Sequence, residues 1–337
     1  MTTPLHAVRR IQGALVAAMP VVALAAFIPA QSQPAVHAAE VRAVAYLSTE
    51  VPRWRREHSC YSCHNNGDAT RALVAASARG YAVGHAIDDT TAWLAMPERW
   101  DSNPERGGSE DLPLARIQFA SALASMVAVG RATPDALDRA GALLLVHQTD
   151  DGSWRLSESQ VLGGATFYGT SLATAMARRI LARVKDDVVQ RPLAKAGAWL
   201  RTTNPATVLD ASSVLLGLEL DVDSAAVAQR QKALDVVTRG RGPDGGWGPY
   251  ITSQSEPFDT ALAVLALVNV RNVSALSAVP YSDRDLDEAI GRARDYLVGA
   301  QNQDGSWPET TRPPNGESYA QRISTTAWSL LALLESD

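Results

Sequence analysis

Cysteine is nearly absent from this sequence of 337 residues, which contains only Cys60 and Cys63. A four-cysteine metal centre is therefore excluded. None of the six histidines forms an HxxxH pair that would complete a zinc site with the two thiols. An excess of basic residues is also missing, since 36 acidic residues outnumber 31 lysines and arginines. This balance, without a basic cluster, argues against nucleic acid as a partner.

Strand patterns are also nearly absent, so a thioredoxin-like redox pair, which belongs beside a βαβ unit, is not expected. Alanine, leucine and valine instead recur at helical spacing between Gly, Pro and Asn clusters. Segments 258–270 and 325–336 are apolar on every side, which is typical of buried helices, whereas 287–307 has one polar face. The sequence predicts an all-α protein in which surface helices and buried helices alternate.

The two cysteines lie three positions apart in the segment EHSCYSCHNNG, residues 57–67, and His64 follows the second one directly. This CxxCH spacing, residues 60–64, is that of c-type haem attachment. In such sites two thiols form thioethers to the haem and the histidine binds the iron. We therefore predict one covalent haem c on Cys60, Cys63 and His64. A bare disulfide or a chance spacing is the alternative.

The first residues resemble an export signal. A basic start with Arg9 and Arg10 precedes the mostly apolar run GALVAAMPVVALAAFIPA, and the small residues of QSQPAVHA follow. This pattern predicts a signal peptide over residues 1–38, with Val36 and Ala38 at positions −3 and −1 of the cleavage site. Haem c is attached outside the cytoplasm, so a periplasmic or otherwise exported location agrees with the motif. An uncleaved membrane anchor is the alternative, because the apolar run is nearly long enough to span.

The chain contains internal repeats. The segment RARDYLVGAQNQDGSW, residues 292–307, recurs as RAGALLLVHQTDDGSW, residues 139–154. It recurs again, with the glutamine lost, as KALDVVTRGRGPDGGW, residues 232–247. Repeats at this scale indicate that one supersecondary unit is used several times.

These repeats resemble the QW motif of the squalene–hopene cyclase and protein prenyltransferase superfamily, whose domains are α/α toroids. The resemblance implies that a glutamine at a helix end and a tryptophan in the next loop brace neighbouring helices. The corresponding residues here are Gln148 with Trp154, Gln301 with Trp307, and Arg241 with Trp247. Fainter copies bring the number of units to six. The resemblance implies a single α6/α6 toroid of six helical hairpins over residues 39–337.

The CxxCH segment joins the two helices of the first hairpin, where later units carry the QW loop. We therefore expect the haem on the rim where these loops gather, close to the mouth of a central cavity. Arg71 and Arg116, in the first turns of the first two inner helices, are candidates for pairing with the haem propionates.

Three possibilities exist for the second axial ligand of the iron. Met96 is favoured because it ends the outer helix of the adjacent unit, on the same rim, and Pro97 stops that helix. The alternatives are an iron without a second protein ligand and His147, one unit further round. Helix length places His85 and Met126 too far from the rim.

Familiar active sites of the superfamily are missing. The nearest match to the acidic DxDD motif of the cyclases is DVDS, residues 221–224, where a helix N-cap is expected. No cysteine remains for a prenyltransferase zinc site. Residues at the inner-helix starts are expected to face the cavity mouth, and the weak catalytic candidates among them are Tyr168, Asp210 and Asp259, with Thr325 in the last unit.

Two principal functions follow from these patterns. The favoured one is an electron carrier with a single haem c and a periplasmic redox partner. The alternative is a haem-dependent oxidoreductase that binds a small apolar ligand in the toroid cavity, and a scaffold or sensor role is a third possibility. The sixth iron ligand distinguishes the first two, because a filled iron cannot bind oxygen, peroxide or substrate. A membrane is a partner only if the N-terminal segment stays uncleaved.

Overall fold

The computed structural model describes residues 33–103, 111–156, 168–272, 282–310 and 318–337. These residues form twelve α-helices and no β-strand; the only bridges between extended residues join Gln148 to Trp154 and Arg241 to Trp247. The predicted all-α class is confirmed. Residues 1–32 of the predicted signal peptide lie outside the described residues, and Val36 and Ala38 lie in the first turns of the first helix.

The helices are α1 Gln33–His58, α2 Thr70–Ala78, α3 Asp88–Leu94, α4 Leu112–Ala128, α5 Pro134–Leu145, α6 Gly169–Leu181, α7 Gln190–Thr202, α8 Val208–Gly217, α9 Ser224–Arg239, α10 Pro257–Asn272, α11 Asp283–Ala300 and α12 Tyr319–Glu335. A π-helical turn, Cys63–Ala69, leads directly into α2. Short 3-10 helices at Pro97–Ser102 and Asp187–Val189 follow α3 and precede α7. Within the described residues, none of these helices combines the length and the apolar character needed to cross a membrane.

The six even-numbered helices pack side by side in a closed ring. Each contacts the next, from α2 through α4, α6, α8 and α10 to α12, and α12 contacts α2. The odd-numbered helices pack outside them, and α1 contacts both α11 and α12, so the two ends of the chain meet. This arrangement places the start of every inner helix at one end of the ring.

Burial explains why the sequence alternates between two kinds of helix. In α10, which has neighbours on all sides, every residue from Pro257 to Val268 is buried. In α11 the buried residues are Leu286, Ile290, Ala293, Arg294 and Leu297. These positions recur every three or four residues and form one stripe that faces the ring. The predicted alternation of buried and surface helices is therefore confirmed.

Three loops that lead into inner helices make the same contacts. The indole N–H groups of Trp154, Trp247 and Trp307 donate to backbone carbonyls ten residues earlier, at 2.9, 2.6 and 2.7 Å. Their backbone N–H groups donate to threonine hydroxyls of the following inner helix, at 3.0, 2.8 and 2.9 Å. Each tryptophan thus joins an outer helix to its inner partner.

The two glutamines extend these contacts to the next outer helix. Gln148 Nε2 donates to the Pro192 carbonyl of α7 at 2.9 Å. Gln301 Nε2 donates to the Ala39 carbonyl of α1, also at 2.9 Å. The second contact joins the last repeat to the first helix.

Candidate functional sites

The segment between α1 and α2, residues 59–69, carries the CxxCH motif and is called the Cys loop below. The Ser62 side chain caps its π-helical turn by accepting a hydrogen bond from the Asn65 N–H at 3.1 Å. Cys60 is buried, Cys63 is half-buried, and neither forms a disulfide. Cys63 Sγ lies 3.8 Å from His64 Nδ1. Neither thiol is thus committed to a disulfide, and the Cys63 sulfur lies beside the imidazole.

Neighbouring elements hold the Cys loop in place. The Asn65 side chain donates to the Tyr319 hydroxyl at 2.8 Å, and the Asn66 side chain donates to the Thr90 hydroxyl at 2.8 Å. The Tyr61 N–H donates to the Asn103 side chain at 3.0 Å. Because Tyr319 begins α12 and Asn103 precedes α4, the loop lies at the end of the ring where the inner helices start.

His64 lies among aromatic side chains. Its ring meets Trp54 edge-on, with centroids 5.2 Å apart, and meets Tyr319 edge-on at 6.1 Å. Burial, with a smaller contribution from His58, lowers the pKa of His64 to about 3. The imidazole is therefore neutral at physiological pH, and its Nε2 is buried with no hydrogen-bond partner among the described residues. A buried polar atom without a partner requires an explanation.

These features fit a c-type haem. Two thiols outside any disulfide would supply the thioether sulfurs. A neutral imidazole with one nitrogen open is the form of histidine that binds a metal. The side chains that cover Nε2 would have to move before iron could reach it. No cluster of three or more histidine, cysteine or acidic side chains that could hold a metal ion occurs within the described ranges.

A second aromatic group lies on the other side of the Cys loop. Tyr61 stacks on Trp93 with centroids 4.2 Å apart, and Trp93 meets Phe119 at 4.9 Å. The Arg55 guanidinium lies 4.8 Å from the centre of the Tyr61 ring. Neither aromatic group was predicted from the sequence, although Tyr61 lies within the motif and Trp54 lies six residues before Cys60.

The candidates for the sixth ligand have different surroundings. Met96 is half-buried and follows α3, where its N–H donates to the Trp93 carbonyl at 3.0 Å. His147 Nε2 already accepts a hydrogen bond of 2.6 Å from Arg116. Arg116 also forms a salt bridge of 2.6 Å with Asp101. A haem propionate would have to compete with these contacts for Arg116, and iron would have to compete for His147.

A central cavity of about 240 Å³ lies within the ring, and its lining comes from all six inner helices. Arg71 lies on its wall near the start of α2, with the guanidinium 4.9 Å from the centre of the Trp328 ring. The exposed members of the lining include Arg183, Asn272 and Glu335, at or beyond the C-terminal ends of α6, α10 and α12. The pairing of Arg71 with a propionate stays a prediction, but the structure directs this side chain into the cavity.

A buried cluster around Asp68 fills the ring at the end where the inner helices start. Its carboxylate accepts hydrogen bonds from Gln118 at 2.6 Å, from Tyr168 at 3.3 Å and from Trp328 at 3.4 Å. Burial raises the pKa of Asp68 to about 6. The Cys loop lies at the end of the ring where the inner helices start, whereas the exposed edge of the cavity lies at the other end, where they finish. The expectation that the haem motif lies close to the cavity mouth is wrong, because this cluster occupies that end.

The weak catalytic candidates do not line the central cavity. Tyr168, Asp259 and Thr325 are fully buried. Asp210 accepts hydrogen bonds from the Ser171 hydroxyl at 2.6 Å and the Thr207 hydroxyl at 2.7 Å. The expectation that these four residues face an open mouth is wrong, because the inner-helix starts are packed against one another.

The DVDS segment has a structural role. Asp223 caps α9 by accepting the Ala226 N–H at 3.0 Å, so the predicted N-cap is confirmed. Asp221 forms salt bridges with Arg178 at 2.6 Å and with Arg201 at 2.7 Å. Neither carboxylate belongs to the cavity lining.

Comparison with solved structures places this architecture among the helical folds of type II terpene cyclases. A substituted form of the cyclase MstE from Scytonema, in complex with geranylgeranyl dihydroxybenzoate, superposes with a TM-score of 0.57 at 15% identity, over 90% of this chain and 97% of that one. A protein from Actinoplanes gives a TM-score of 0.58 at 18% identity, over 89% and 99%. A polysaccharide lyase gives 0.55 at 12% identity, over 88% and 97%.

No protein-family model and no curated protein sequence matches the chain. At these identities the structural similarity defines the fold and leaves the activity open. The protein therefore has a cyclase-like helical fold, and its function must be argued from its own residues.

Proposed function

We propose that the protein is an exported c-type haem protein that transfers electrons to a periplasmic redox partner. Cys60 and Cys63 form thioethers to a single haem c, and His64 binds the iron. The observation that carries this proposal is the buried Nε2 of His64, which has no hydrogen-bond partner among the described residues and belongs to the residue directly after Cys63 in the CxxCH motif. When bound, the haem would supply a one-electron change at iron.

The chain's own residues keep the iron ligand neutral and fixed. Burial lowers the pKa of His64, so a proton does not compete with iron at physiological pH. The hydrogen bonds of Asn65 to Tyr319 and of Asn66 to Thr90 restrict the Cys loop. A firmly held loop suits an electron carrier, because the ligand geometry then changes little between oxidation states.

The central cavity supports a second candidate, a haem-dependent oxidoreductase. Its walls include apolar side chains that could hold a small apolar substrate. However, its exposed edge lies at the end of the ring opposite the Cys loop. The electron carrier is favoured because substrate in the cavity would be separated from the CxxCH motif by the cluster around Asp68.

The activity of the structural neighbours is not transferred to this chain. MstE is a terpene cyclase, and a cyclase-type reaction would need an acid that faces the cavity. Asp68 has a raised pKa but does not line the cavity, and Asp221 and Asp223 are held by arginines at a loop. The acidic residue of the described lining, Glu335, lies at the exposed edge in a salt bridge with Arg79, so it is not placed as a buried acid for such a reaction.

The proposal is tested by producing the full chain together with a cytochrome c maturation system. The haem should stay with the protein after acid–acetone extraction, and the reduced protein should show the absorption bands of haem c. Cys60→Ser combined with Cys63→Ser should lose the pigment on extraction. His85→Gln is the control, because it changes an exposed histidine outside the motif. Pigment that extracts freely from the unchanged chain would contradict the proposal.

A further inference from the structure

The central cavity carries an excess of positive charge. Among the described residues, its lining includes Arg71, Arg179 and Arg183 but only one acidic residue, Glu335. Glu335 already forms a salt bridge of 3.1 Å with Arg79, which lies outside the lining. Three positive groups against one negative group leave the wall with two unbalanced positive charges.

Two of these arginines have no ionic partner among the described residues. Arg179 forms a salt bridge of 3.3 Å with Glu219. Arg71 and Arg183 form none with any described residue, and Arg71 Nη1 is buried with no hydrogen-bond partner. The Arg71 guanidinium packs on the Trp328 ring, but a charged N–H group that is removed from water without a hydrogen-bond partner is costly. An anion in the cavity would supply the missing partner.

Asp68 does not satisfy Arg71. Its negative charge attracts Arg71, but its oxygens accept hydrogen bonds from Gln118, Tyr168 and Trp328. Burial remains the dominant effect on Arg71 and lowers the pKa of its guanidinium, which shows how poorly the charge is solvated there. This buried carboxylate is thus committed to other donors.

The rest of the described lining is mixed. Its apolar side chains include Leu216, Leu265, Val268, Leu331 and Met176, and its polar ones are Ser121, Ser125, Asn269 and Asn272. The apolar side chains favour the apolar part of a ligand, whereas the guanidinium groups favour an anionic group. From these two observations we infer that the central cavity binds a small organic anion, with its carboxylate or phosphate on Arg71 and Arg183 and its apolar body against the walls.

This inference does not use the CxxCH motif, because none of its residues lines the cavity, but it gives Arg71 a small anion in place of the haem propionate predicted from the sequence. It is tested by titration calorimetry on the full chain with octanoate, with octanol as the neutral counterpart and with inorganic phosphate as an anion without an apolar body. Octanoate should bind at least about tenfold more tightly than either, since a charge-assisted hydrogen bond contributes at least that much.

Variants locate the site. Arg71→Gln and Arg183→Gln should each weaken octanoate binding by about tenfold or more. Arg239→Gln is the matched control: it removes the same charge from an exposed side chain of α9 outside the cavity and should leave binding unchanged. If Arg71→Gln does not fold, Arg183→Gln at the exposed edge still decides the question. Equal binding of octanoate and octanol, no octanoate binding at millimolar concentration, or equal loss in Arg239→Gln would overturn the inference.

Discussion

Replacing Gly305 with alanine should weaken the contact that joins the last repeat to α1. Gly305 has a φ of 91°, a conformation that side chains other than glycine rarely adopt. A Cβ atom there would also stand 2.7 Å from the carbonyl carbon of Arg42 in α1. The left-handed backbone costs about 1–2 kcal/mol for alanine, and moving the backbone of α1 costs about 1–3 kcal/mol more. We expect Gly305→Ala to lower the free energy of unfolding by about 2–5 kcal/mol.

Gly291→Ala is the matched control, because the same substitution in α11 would meet no atom within 4 Å. In a helix interior it should stabilise the protein by about 0.5–1 kcal/mol. Urea unfolding followed by far-ultraviolet circular dichroism measures both variants. If Gly305→Ala matches the original protein within about 0.5 kcal/mol, the close approach of this loop to α1 is refuted.

Three further predictions concern the interior and the iron. Burial raises the pKa of Asp68 from 3.8 to about 6, so the folded state holds this proton more tightly than the unfolded state. The stabilising contribution is present below pH 3.8 and is lost as the pH rises through 6. Between pH 4 and pH 7, the free energy of unfolding measured in urea should therefore fall by about 2–3 kcal/mol more in the original protein than in Asp68→Asn. An equal fall in both proteins would refute the raised pKa of Asp68. Trp307→Phe removes the donor to a buried carbonyl and should cost about 1–3 kcal/mol in the same assay, where an unchanged midpoint would show that the hydrogen bond contributes little. Met96→Ala should abolish the methionine-to-iron absorption band of the ferric protein and allow carbon monoxide to bind; free binding of carbon monoxide by the unchanged protein would show that Met96 is no ligand.

Local sequence patterns were sufficient to predict the helices. In α11 the spacing of Leu286, Ile290 and Leu297 encodes one buried stripe, and in α10 an uninterrupted apolar run encodes burial on all sides. The N-cap at Asp223 was also predictable, because a cap depends on residues within one turn. These features need no knowledge of distant contacts.

The contacts inside the ring could not be predicted from local sequence patterns. Asp68 precedes α2 in a segment that looks like a loop, yet the π-helical turn carries it into the ring. Its partners Gln118, Tyr168 and Trp328 lie 50, 100 and 260 residues further along the chain. The spacing of residues in the sequence predicted neither those contacts nor the direction in which the Arg71 side chain points from α2. The position of the buried Asp68 cluster at one end of the ring depends on these contacts between residues far apart in the sequence.

The intact mass of the protein tests the central claim most directly. The full chain is produced with a cytochrome c maturation system and measured under denaturing conditions, beside the variant that combines Cys60→Ser with Cys63→Ser. We predict that the original protein carries the added mass of one haem and that the variant has the mass of the polypeptide alone. A mass of the polypeptide alone for the original protein would contradict covalent attachment at Cys60 and Cys63.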